Sequence, residues 1–288
     1  MNIEAISGAA IVALASTVVF LVIAKTWHAL SRTVGSTPSF ADQIMHEAAQ
    51  RFRDELERLT GSQAIYLSGA LVFVVLFLAA YALRAQELFA GYPAWQLWLQ
   101  IVFLASATAF AAWRLGRTIT ARRQVRFVRD ANVAIGHQLQ QVAAAGSRVF
   151  HDVSTSAGVV DHVLVGPRGI YGVNVVARRA RKRGSAFLQG NELSFSQHHG
   201  IVPLVNIAAS TARLEKEISR LLGQKVRVRS VIATPGWDIG EQASENHLLV
   251  NERTISMMRG WRDPSDHLMN EDVAALYDEL TARCRRQA

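Results

Sequence analysis

Between Ala64 and Leu83 the chain carries no Asp, Glu, Lys or Arg. A helix of about 20 such residues, rising about 1.5 Å per residue, crosses the roughly 30 Å hydrocarbon layer of a bilayer. Few soluble folds bury so long a run. The stretch therefore predicts a membrane-spanning helix and governs the reading of everything around it.

Two further stretches share the pattern. Ile6 to Ala24 is apolar, with only Glu4 before it and Lys25, His28 and Arg32 after it. A secretory signal carries its positive charge first, so an uncleaved helix with its N-terminus outside is expected. The third stretch, about 93–113, is opened by Tyr92, Pro93 and Trp95 and closed by Arg114 and Arg117. Arg122, Arg123, Arg126 and Arg129 follow, whereas the link between the second and third stretches holds only Arg84 and Glu87. Because Lys and Arg gather on the cytoplasmic side, the C-terminal half is expected inside. Three spans result, about 6–24, 64–83 and 93–113. None has an acid or base at its centre, so ion transport lacks a residue to carry it.

Between the first two spans, Ser39 and Asp42 mark a helix start, and Phe40, Ile44, Ala48, Phe52, Leu56 and Leu59 recur at helical spacing. This predicts a cytoplasmic amphipathic helix at about 39–60, with Glu47 facing Arg51 and Asp54 facing Arg58 on its wet side. On the third span Ala105 with Ala109, and Ala107 with Ala111, would let another helix approach, a route to self-association. The anchor is thus placed at 1–124 and a water-soluble domain at 125–288.

A net charge of +8 and an isoelectric point near 10.2 favour anionic partners, either nucleic acid or acidic lipid. Charge does not choose between them. The lone Cys284 excludes an intrachain disulfide and a cysteine-rich zinc site.

In the soluble half, Val125, Ala131, Ile135, Leu139 and Val142 keep helical spacing until Ala145 and Gly146. Three strands rich in Val and Ile follow, Arg148–Val153, Val159–Val165 and Gly169–Val176, the last two joined by the turn sequence Gly166-Pro167-Arg168-Gly169. Next come a hairpin at Gln189-Gly190-Asn191, a helix from Pro203 to Leu222, strands at Val226–Ala233 and Leu248–Val250, and a helix from Glu271 to Arg285. The order predicts an α/β sandwich behind a helical transmembrane anchor.

Within this pattern the stretch from about Arg126 to Gly260 resembles the nuclease-related domain, NERD, a bacterial relative of the restriction-endonuclease-like PD-(D/E)xK folds. The resemblance rests on Gly136, on the run from Val160-Asp161-His162 through Gly166-Pro167-Arg168-Gly169-Ile170-Tyr171, on Gly184 and on Pro203. It implies a bacterial inner-membrane location and a Mg²⁺-dependent nuclease site. In the family, that site has an Asp opening the second strand, a Glu-x-Lys pair on the third and a Glu from the first helix.

Asp161 holds the first of these positions, but Asn174 and Val176 stand at the Glu-x-Lys pair and His137 at the helical Glu. Mg²⁺ needs hard, preferably anionic oxygen ligands, and one carboxylate with a neutral amide supplies too little charge. Catalytic Asp161 is then vestigial, and no cofactor is expected. An alternative keeps Mg²⁺ on Asp161 and Asn174, with Asp152 or Glu192 as a relocated acid and Arg178, Arg179 or Lys182 as a relocated base. His137, His151, His162, His198 and His199 fit no compact zinc spacing.

The run Arg178-Arg179-Ala180-Arg181-Lys182-Arg183 is dense enough to bind phosphates, with Arg178, Arg179, Arg181, Lys182 and Arg183 as the anion-binding set. No aromatic residue interrupts it, so base stacking is unsupported. The sequence predicts a membrane-tethered, non-cleaving domain that binds nucleic acid or another anionic partner. Membrane lipids, DNA or RNA, and protein partners are all candidates. An active tethered nuclease and a docking platform for a protein complex stand as alternatives.

Overall fold

The computed structural model describes residues 3–34, 47–82, 94–143, 146–179, 184–196, 198–259 and 266–284. They form two compact units, one of Met1–Thr37 with Asp54–Val125 and one of Pro38–Arg53 with Arg126–Ala288.

The first unit holds α1 (Ile3–Val34) and α2 (Gln50–Ala82) from Asp54 onward, and these helices contain the candidate spans Gly8–Thr26 and Gln50–Ala80. Two helices among the described residues are long and apolar enough to cross a membrane, not three. The third expected stretch opens α3 (Ala94–Ala143), several of whose side chains between 94 and 107 lie outside the described residues. On α1 Val18, Val19, Val22 and Ile23 are exposed, and on α2 Leu67, Leu71, Val74, Val75 and Leu78 are too. Runs of exposed branched side chains on this scale call for a surrounding other than water. Close helix packing occurs at Gly69, where an added Cβ would stand 2.6 Å from a Leu21 methyl.

The expected amphipathic helix and second span are one element. After a turn at Ala48–Ala49, in which Ala49 holds φ 65°, α2 runs without a break from Gln50. Residues 39–46 lie outside the described residues. Glu47 pairs with Arg53, and Arg58 with Glu55, while Arg51 turns elsewhere.

The second unit is built on a five-stranded sheet. The meander β1 (Arg148–Thr155), β2 (Gly158–Gly166) and β3 (Gly169–Val175) is antiparallel; β7 (Val228–Ala233) and β9 (His247–Val250) then join β3 in parallel, giving the order β1-β2-β3-β7-β9. Both faces of this sheet are covered. The C-terminal part of α3 packs Ile135 and Leu139 against Leu164, Tyr171, Val173 and Val231. On the other face α4 (Val205–Leu222) and α5 (Asn270–Arg283) bring Leu214, Ile218, Leu276 and Leu280 against Phe150, Val163, Val165 and Ile170.

A second sheet was foreshadowed only by its hairpin. It comprises β4 (Ser185–Gln189), β5 (Glu192–Phe195), β6 (His198–Pro203) and β8 (Asp238–Ala243), in the order β6-β5-β4-β8. Its apolar side chains Leu188, Leu193 and Phe195 close over Ile232, Trp237 and Leu249. β8 has no buried residue, so the alternation that reveals a half-buried strand is missing from its sequence.

Candidate functional site

The register of β1 against β2 pairs His151 with His162 and Val153 with Val160, which leaves Asp152 opposite Asp161. Likewise His162 pairs with Val173 across β2 and β3, so Asp161 stands one step along from that pair, opposite Asn174. Two acids and an amide therefore cross three neighbouring strands in one row. All three are buried.

The row coincides with a fault in the sheet's alternation. Side chains two apart on a strand normally share a face. Here His151 and His162 lie against Gly136 of α3, while Val153 and Val160 belong to the core on the opposite face. The switch falls at Asp152, which holds φ 52°, a left-handed conformation that Asp tolerates better than a branched or bulky residue would.

Arg51 reaches this row from a point about a hundred residues upstream. Its guanidinium pairs with Asp161 through Nη2, and its Nε lies 3.4 Å from Asp152 Oδ1. Its backbone N–H donates to Asp152 Oδ2 at 3.3 Å. The second oxygen of Asp161 accepts from the N–H of Val175 at 2.7 Å. Burial nevertheless pushes the Asp161 carboxyl up from 3.8 to about 6; Arg51 and the Val175 N–H oppose the rise, and Asp152 adds to it.

Behind the acids, His151 and His162 share a hydrogen bond between their Nδ1 atoms, 2.8 Å long. Burial drives His151 down to about 4 and His162 to about 3, the latter helped by its neighbour, so both rings are neutral. Neutral imidazoles edge to face make a packed support rather than a proton store. Gly136 makes room for them. A Cβ there would meet Ala48 at 2.8 Å and His162 at 3.4 Å, so the missing side chain lets the segment carrying Arg51 approach the sheet.

Residues 129–235 match the family model of the nuclease-related domain. No curated protein and no solved structure matches the chain. The matched span holds Asp152, Asp161 and Asn174 but ends before β8 and β9, and it excludes Arg51.

Within the second unit, the expected site residues separate into two groups. Asp161 and Asn174 stand together, joined by Asp152. Val176 follows β3 without a charge to offer, and His137 is exposed on α3. Glu192 is exposed at the β4–β5 hairpin of the second sheet. His198 and His199 lie on β6, with side chains outside the described residues, and no group of three metal-binding side chains occurs among the described residues.

Of the basic run, Arg181, Lys182 and Arg183 lie outside the described residues. Arg178 and Arg179 are exposed; the Arg178 carbonyl accepts from the indole N–H of Trp237 at 2.9 Å, and Arg179 lies over the Phe127 ring at 5.1 Å. An aromatic face does therefore accompany the arginines, contributed by α3.

With Arg51 in place the donor set does not fit a bound Mg²⁺. Two carboxylates meet at Arg51 and the register puts Asn174 on the strand next to Asp161, but the family's helical Glu and strand Lys are absent, and a guanidinium already neutralises the acids. Arg51 is the residue that sequence reasoning missed. It was placed on a solvated helix face opposite Glu47, and nothing local in the sequence ties it to strands a hundred residues later.

Proposed function

We propose that the chain is a membrane-anchored protein whose nuclease-related domain does not cleave by the family's metal mechanism and instead binds an anionic partner, nucleic acid in the first place, at the membrane. The observation that carries this reading is Arg51 on Asp161 and Asp152, where a cleaving enzyme would need a divalent cation. Phosphate binding falls to Arg178 and Arg179 and to their neighbours Arg181, Lys182 and Arg183. The bacterial inner membrane is the proposed location, with the third span at about 93–113, the N-terminus outside and the domain in the cytoplasm. Exposed Trp95, Trp98, Leu99, Val102, Phe110 and Trp113 on α3 support that third span.

The second reading, an active nuclease, is favoured by one observation: Asp152 does stand beside Asp161 as a relocated acid. An assay of the full-length protein in detergent with single- and double-stranded DNA and RNA separates the two. With Mg²⁺ or Mn²⁺ the substrates should stay intact, while binding should weaken steeply with salt and lose that slope once Arg178 and Arg179 are changed to Ala. Metal-dependent turnover that disappears in Asp161→Ala would establish the second reading. Absence of binding at low salt would leave docking of a protein.

A further inference from the structure

Opposed carboxylates on adjacent buried strands repel, and one of them resists ionising unless a cation sits between them. In this domain that cation is a side chain. Arg51 meets both acids at once, through Nη2 and Nε and through its own backbone N–H.

The bond set around it is unfinished. Arg51 Nε lies within ion-pairing distance of Asp152 but out of line for a hydrogen bond, and among the described residues it has no hydrogen-bond partner. The same is true of Asn174 Nδ2, although Asn174 is buried. Buried amides are ordinarily bonded, so an orphan on the strand next to Asp161 marks a place with room for another partner. Turned about its terminal bond, that amide would present a carbonyl oxygen, giving an oxygen-donor side chain from each of three adjacent strands. The set differs from that of the nuclease-related family as set out above, since Asp152 comes from the first strand.

Arg51 also stands at the very start of its helix. It is the second residue of α2, directly after the turn in which Ala49 holds φ 65°. Its side chain is 38% exposed, while those of Asp152 and Asp161 are 6% and 7% exposed, so the cation has a side open to solvent that the acids lack.

We infer that Arg51 is a built-in, displaceable counter-ion that keeps a divalent cation out of a site formed by Asp152, Asp161 and the side-chain carbonyl of Asn174. Withdrawal of Arg51 opens that site. The inference rests on the non-cleaving reading of the resting protein and names how that state is held.

The test uses metal-stripped full-length protein in detergent micelles, with Mn²⁺ alone as the probe, read by the loss of its free electron paramagnetic resonance signal. Arg51→Ala and Arg51→Gln should bind Mn²⁺ about tenfold or more tightly than the unaltered protein, a range common for coupled sites. Adding Asp152→Asn to Arg51→Ala should abolish the gain, which separates this site from Mn²⁺ held elsewhere. Equal affinity in unaltered and Arg51-substituted protein overturns the proposal. So does loss of folding in both variants, since Arg51 would then be structural rather than displaceable. DNA cleavage by the unaltered protein would sink the non-cleaving reading alone, because the Mn²⁺ comparison between variants is read without turnover.

Discussion

Two arginine–aspartate pairs lie in the same domain, and they differ in how completely they are finished. Arg229 and Asp266 are 9% and 6% exposed, and Arg229 Nε donates to the carboxylate at 2.5 Å. Next to them Leu268 N–H caps the Pro167 carbonyl at 3.1 Å, so the pair braces the Gly-Pro-Arg-Gly turn. Arg51 and its two acids have the same chemistry with the cation half-exposed and an orphaned amide alongside. A closed pair holds a turn in place. An open pair with unspent donors has the character of a site.

The largest effect should come from the closed pair. Asp266→Ala removes the carboxylate against which Arg229 is buried, and should cost about 3–5 kcal/mol in urea melts of the full-length protein. A cost below about 1 kcal/mol, the range of exposed pairs, would erase the contrast.

Arg51→Ala should cost less, about 1–2 kcal/mol at alkaline pH, because it leaves carboxylates buried but lets them protonate. The sign follows from Asp161. Its folded value, about 6, lies above the ordinary 3.8, so its burial costs stability in full above about pH 6 and progressively less as pH falls towards 3.8. The gap between variant and unaltered protein should therefore be widest above pH 6 and shrink on acidification. A gap independent of pH would show that Arg51 acts through packing alone.

Gly136→Ala should give the smallest change, a net of about 1 kcal/mol or less, since the helix-propensity gain offsets part of the crowding. The new methyl would meet Ala48 at 2.8 Å and push on the segment that carries Arg51 without altering any charge. Its Mn²⁺ affinity should rise, but less than that of Arg51→Ala. Unchanged Mn²⁺ binding with an unchanged melt would mean that the segment tolerates displacement without releasing Arg51.

The sequence made some of this legible and concealed the rest for identifiable reasons. Val160 to Val165 and Gly169 to Val175 announce their strands because both are apolar runs joined by a Gly-Pro turn, and the adjacent pairing they imply is local. Asp161 could be picked out because the Asp-His-Val strand and the Gly-Pro-Arg-Gly turn carry the family resemblance that assigns that position an acid. β8 was invisible because none of its residues is buried, and its partner β4 lies far back in the chain. Asp152 could be named only as one of two candidate relocated acids, because strict alternation ignores the reset that its positive φ introduces. The predicted partner of Arg51, Glu47, was the acid one helical turn back in sequence; burial of two more distant carboxylates outweighed proximity along a helix.

The separation between Arg51 and its acids, 101 residues to Asp152 and 110 to Asp161, also bears on how the protein can be dissected. The chain reads as an anchor followed by a domain, which invites a cut near residue 125. Such a cut discards the segment of Pro38–Arg53 that belongs to the second unit. The resulting fragment would be chemically equivalent to a deletion of Arg51, with its acids unguarded. Metal uptake measured on that piece would report an unlocked state of the parent.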